Sequence, residues 1–174
     1  MLTGHPLLDS HLRLVLQDNT FWQAYFDQIP NKHVTFHLAI LVEPYLQFIL
    51  DGKKTIESRF SANRCPPYGA VKKGDIILLK RSGGPIVGLC QVADVWFYHL
   101  DPESWQFIKD KFAKAICAQG TTFWEERETA SYATLMRIEQ VQTIEPVSFT
   151  KRDRRGWVVL RNNPAQLEMS FEEV

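Results

Sequence analysis

Between residues 54 and 98 the chain alternates short β-rich segments with glycine turns, a punctuation that suits a small sheet far better than a helical bundle. Residues 54 to 60 read as one strand. Gly74 and Asp75 turn into a second at residues 76 to 80, rich in isoleucine and leucine. Gly83, Gly84 and Pro85 make the next turn, and a long strand follows from Ile86 to about Tyr98. Upstream, the apolar run from His37 to Val42 suits a buried strand. Downstream, strand-like stretches recur around residues 133 to 144 and at residues 157 to 160. Five or six short strands with two inserted helices give an α+β chain built on a small, mostly antiparallel β-barrel.

Pro44 opens the first inserted helix, which carries Tyr45, Phe48 and Ile49 on one face and closes at Gly52. Asp101 and Pro102 cap the second, whose inward face is Trp105, Ile108, Phe112, Ala115 and Ile116. A polar stretch follows, with Trp124, Glu125, Glu126, Arg127 and Glu128. The irregular stretch around Cys65, Pro66, Pro67, Tyr68 and Gly69 is long for a small domain; it is a binding loop or a surface excursion. Ahead of the strands, Phe21, Trp22, Tyr25, Phe26 and Ile29 fall at helical spacing before Pro30, with Asp18, Asn19 and Thr20 as a break and cap. The expected division is a helical N-terminal extension over residues 1–35, the barrel domain over 36–161, and a loosely held acidic tail over 162–174.

Apolar residues at 45% and charged residues at 23% exclude wholesale disorder. No apolar run approaches the roughly 20 residues needed to cross a bilayer, and the N-terminus lacks the basic-then-apolar pattern of a secretory signal. Cys65, Cys90 and Cys117 stand far apart without zinc spacing, as free thiols do in a reducing cytoplasm. His33 and His37 are four apart, but Val34, Thr35 and Phe36 between them favour an extended chain over a metal-holding helix. The chain is thus expected to be cytoplasmic, with no membrane partner, metal or cofactor.

Charge is neutral overall but segregated. Residues 51 to 82 hold eight basic side chains against three acidic, and residues 150 to 161 hold five against one. Brought together, they would form one phosphate-binding face; kept apart, they are solvated turns.

The residues Gly52-Lys53-Lys54-Thr55-Ile56-Glu57-Ser58-Arg59 fit a G-x-K-x-x-E-x-R pattern, set after a helix and before a strand–turn–strand that opens at Val71-Lys72-Lys73-Gly74-Asp75. In this the chain resembles ASCH domains, a branch of the PUA-like superfamily, over about residues 37 to 160. The resemblance implies a β-barrel with a cleft between barrel and helices, lined by the pattern, that binds RNA or nucleotides. Some members deacylate cytidine acetylated on its exocyclic amine, using a threonine where this chain has Glu57, the lysine matched by Lys54, and a distal glutamate for which Glu125 or Glu126 could stand.

The pattern also has a physical meaning of its own. On a strand, alternation puts Thr55, Glu57 and Arg59 on one face and Ile56, Ser58 and Phe60 on the other. Lysine, carboxylate and arginine together can hold a phosphate or a base edge, or else form an ion-pair network pinning the helix–strand corner. Three functions follow as expectations. The first is an RNA or modified-nucleoside binder with Lys54, Glu57 and Arg59 in the cleft, Arg64 and Tyr68 on a loop over it, and Arg152, Arg154 and Arg155 on the backbone; Tyr68 or Trp124 would stack a base. The second is a hydrolase of acylated cytidine, or less readily of RNA, with Lys54 and Glu57 as catalytic groups. The third is a protein-interaction domain docking through the aromatic N-terminal helix.

Overall fold

The computed structural model describes residues 6–150 and 154–160. The expected acidic tail and Arg152 lie outside these residues. Six strands, β1 (Phe36–Leu41), β2 (Ile56–Ser61), β3 (Ile76–Arg81), β4 (Ile86–His99), β5 (Tyr132–Val147) and β6 (Trp157–Val159), form one sheet in the order β2-β5-β4-β3-β1-β6. Only β1 and β3 run parallel; every other pair is antiparallel. The sheet curls so far that Arg59 on β2 reaches the opposite edge, donating to the carbonyls of Ile40 and Gly156. The fold is the expected α+β class, and the expected small barrel is a curled six-stranded half-barrel.

The helices are α1 (Pro6–Val15), α2 (Thr20–Gln28), α3 (Tyr45–Leu50), α4 (Pro102–Ile116) and α5 (Thr121–Glu125). Asn19 caps α2 by accepting from the Trp22 amide, and Asp101 with Ser104 forms a reciprocal capping box on α4. Five-residue α5 occupies the stretch read from sequence as polar, because only Phe123 and Trp124 of it turn inward.

Alternation sorts the sheet between two apolar cores. Leu38, Ile76, Leu78 and Leu89 face a cluster with Leu12, Leu16, Trp22 and Phe26 of the N-terminal helices. Ala39, Ile77, Leu79 and Cys90 face the inside of the curl, with Leu46, Ile49, Met136 and Trp157. A strand covered on both faces reads as a continuous apolar run, which is why Ile76 to Leu79 shows no alternation. Trp22 and Phe26 are 1% and 0% exposed, so the aromatic stripe of α2 is core and offers no docking face. Tyr25 adds a polar tie, its hydroxyl donating to the Gly74 carbonyl. A third cluster joins Ile56, Ala133 and Leu135 of the sheet to Ile108, Phe112 and Ile116 of α4 and to Phe123 and Trp124 of α5. No helix among the described residues is long and apolar enough to cross a membrane.

Candidate functional site

A cleft of about 270 Å³ lies along β2, between it, the end of β1, α3 and α5. Its formation begins at Gly52. There φ is +73°, the left-handed region that glycine tolerates, and the amides of Gly52 and Lys53 close α3 onto the Ile49 and Phe48 carbonyls. The reversal turns the Lys54 side chain inward, where only 3% of the residue is exposed. Its ammonium donates to the carbonyls of Ile56 (2.8 Å) and Ile116 (3.2 Å) and lies 3.4 Å from Glu57 Oε2. Ile116 ends α4, so the cation meets the negative end of that helix and one of its otherwise unpaired carbonyls.

Glu57 is 4% exposed and accepts at Oε1 from Arg59 Nε, 2.8 Å away. Arg59 in turn spans the seam: Nη2 donates to Ile40 O (3.1 Å), Nη1 to Gly156 O (3.0 Å), and its guanidinium sits 5.3 Å from the Trp157 ring. Trp157 Nε1 donates to His37 Nδ1 (3.1 Å); since indole is donor only, His37 carries its proton on Nε2 and gives it to Asp75 Oδ2 (3.0 Å). Both nitrogens of His37 are therefore committed, and its neighbour His33 is exposed. Among the described residues no group of three or more His, Cys, Asp or Glu is placed to hold a metal ion.

Burial pushes the Lys54 ammonium below the ordinary lysine range, and the Glu57 carboxylate only partly opposes this. Because the folded value is the depressed one, the lysine's contribution to stability is complete above the unfolded value of about 10.4 and is lost as pH falls through the folded one. A ¹³Cε NMR titration of Lys54 should therefore find its midpoint below the ordinary lysine value of about 10.4. A midpoint at that value would show that Glu57 and the two carbonyls offset burial completely.

The outer wall comes from α5. Arg127 lies 3.8 Å over the Phe123 ring and donates to the Phe123 carbonyl (2.7 Å), with Glu126 also in reach at 3.2 Å. Tyr45 lies edge-on to Phe123 and 5.8 Å from the Lys54 ammonium. Ser58 and Phe60 complete the lining.

The structure thus brings Lys54, Glu57 and Arg59 into one cleft, with Glu57 and Arg59 on one face of β2 as alternation requires. Thr55 is exposed and precedes the strand. Several expectations need correction. Arg64 stacks on Tyr68 (5.4 Å), and Tyr68 packs against Phe97 and Tyr132 past the far end of β2, so neither lines the cleft. Trp124 is not an exposed platform; it is 9% exposed and its Nε1 donates to Ala118 O. Glu125 and Glu126 are exposed and outside the lining. Lys80, counted with the surface charge, is buried and donates to the carbonyls of Arg81 and Gly84 in its own hairpin. The two basic segments do touch, at the Arg59–Gly156 contact, and Arg154 and Arg155 are exposed just before it. Arg127, Tyr45 and Phe123 were not singled out for the site from sequence; the aromatic–arginine spacing in Phe123 to Arg127, one helical turn, was the available signal.

The ASCH domain family model matches residues 40–148, well over half of the chain. The chain belongs to the ASCH family. The half-barrel is also similar to the crystal structure of ASCH from Zymomonas mobilis, at TM-score 0.59 and 15% identity over 76% of this chain and 92% of that one. Two single-substitution variants of the Zymomonas protein match at the same TM-score and identity, each over 72% of this chain and 90% or 88% of theirs. At this identity the likeness extends to the fold alone. No curated protein matches the sequence. The N-terminal helices lie outside the matched family segment, although they build one of the cores of this ASCH protein.

Proposed function

We propose that this ASCH protein binds RNA or a modified nucleoside in the β2 cleft. The observation that carries the reading is the chain of buried charge ending at an open mouth. Lys54 and Arg59 share the single carboxylate of Glu57 in the floor, which leaves the trio net positive, while Arg127, stacked on Phe123, presents its remaining guanidinium hydrogens at the wall. Such a wall suits an anionic, aromatic ligand: the guanidinium takes phosphate or carbonyl oxygens, and the rings of Tyr45 and Phe60 take an unstacked base. Arg154 and Arg155, leading into Gly156 beside the seam, would hold the sugar–phosphate backbone.

Arg127→Ala tests this with little risk to the fold, because the side chain lies at the cleft wall. Affinity for a short single-stranded RNA should fall about tenfold, the weight of one charge-assisted hydrogen bond, and binding by the parent should weaken steeply with salt. Isothermal titration at two ionic strengths reads both effects. Unchanged affinity in the variant, or binding insensitive to salt, would sink the assignment.

A hydrolase is the second reading, favoured by one observation: a lysine held below its usual range beside a carboxylate can relay protons. The Lys54 ammonium, however, already donates to two carbonyls and faces Glu57. Release of cytidine from acetylcytidine, followed by chromatography, separates the two; no turnover leaves the binder.

A further inference from the structure

The floor of the cleft is the open edge of a strand. Among the described residues β2 pairs with β5 alone. Two bonds flanking that pairing fix its phase, since Ile138 N–H donates to Thr55 O (3.0 Å) and Ser131 N–H to Ser61 O (2.9 Å). Backbone groups of successive strand residues point to opposite sides, so residues 57, 59 and 61 turn theirs to β5, as Thr55 does its carbonyl, whereas Ile56, Ser58 and Phe60 turn theirs outward. Ile56 agrees with this phase, its carbonyl accepting from Lys54. By this phase the N–H and C=O of Ser58 lie outside the β5 ladder, and Ser58 lines the cleft.

We propose that the Ser58 backbone N–H and C=O read the hydrogen-bonding edge of a nucleobase seated in the cleft. The inference rests on the nucleotide-binding reading above and names the atoms by which a base would be recognised. One residue of an open strand edge offers a donor and an acceptor side by side. That pair complements adjacent acceptor and donor atoms on a base, such as N3 and the exocyclic amine of cytosine. Length favours a base over an added peptide strand. The open run from Ser58 to Phe60 is about 7 Å at the rise of a strand, and Lys54 already occupies the edge at Ile56. The rings of Phe60 and Tyr45 stand around the same opening to cover the base, with Phe123 behind them.

The test uses the full chain and cytidine 5′-monophosphate. Because the Ser58 amide lies outside the β5 ladder, Ser58→Pro removes the donor without cutting a sheet bond. Its affinity should fall about tenfold or more. Independently of any variant, saturating nucleotide should slow hydrogen exchange at the parent's Ser58 amide about tenfold or more. Ser58→Pro binding like the parent, or an unprotected Ser58 amide at saturation, overturns the proposal; should the proline variant fail to fold, the exchange measurement decides. Protection by an extended peptide and not by the nucleotide overturns it too. A parent that binds neither the nucleotide nor single-stranded RNA defeats the nucleotide-binding reading itself, a different failure from a parent that binds with Ser58 unmoved.

Discussion

Replacing Lys54 with alanine is expected to destabilise the chain by about 3 kcal/mol, because one partner of a buried ion pair disappears and the other stays. Glu57 would keep Arg59 but lose the nearer screening of Oε2, and the carbonyls of Ile56 and Ile116 would lose their donor. Alanine also leaves a void under Tyr45, which Lys54→Met fills. Urea denaturation of the two variants separates these effects: both lose the polar contacts, and alanine alone adds a cavity. A loss below about 1 kcal/mol in both would mean that Arg59 satisfies Glu57 unaided. One consequence concerns function directly. Loss of binding or turnover in Lys54→Ala would mix chemistry with damage to the cleft floor, so wall and edge positions such as Arg127 and Ser58 are the cleaner probes.

Trp22→Ala should have an effect as large, on the opposite side of the sheet. Trp22 is 1% exposed, lies against Tyr25 and Phe26 with ring centroids 6.0 and 5.8 Å away, and belongs to the core that covers Leu38, Ile76 and Leu78. Truncating a buried tryptophan costs about 3–5 kcal/mol, and for a chain of this size that lowers the melting temperature by roughly 10 °C. Thermal unfolding followed by circular dichroism checks it. The affinity for single-stranded RNA below the transition should match the parent's, since the cleft lies on the other face. A melting point within about 2 °C of the parent's would show that the N-terminal helices are an appendage and not a layer of the fold.

Much of this architecture was legible because it is written in short-range chemistry. Asp101-Pro102 announces the start of α4, Gly52 the end of α3, and the glycine turns frame β3 and β4 within a residue or two. Period-two alternation placed Glu57 and Arg59 on one face of β2, and they share one in the structure. What escaped depends on distant packing. Five residues of α5 are too few to display a helical period, so the one-turn spacing of Phe123 and Arg127 is a faint pointer to the cleft wall. Tyr68 sits in an irregular loop whose landing place on Phe97 and Tyr132 no local pattern encodes. Lys80 shows why charge counts mislead: a lysine can spend its protons on the carbonyls of its own hairpin and leave the surface altogether.

The most direct measurement is an amide NMR titration of the ¹⁵N-labelled chain with a short single-stranded RNA. Binding in the β2 cleft predicts that the largest shifts fall on Ser58, Arg59, Phe123 and Arg127, with Tyr45 beside them. Shifts centred instead on Tyr68, Phe97 and Tyr132, or no shifts at saturating RNA, would contradict it.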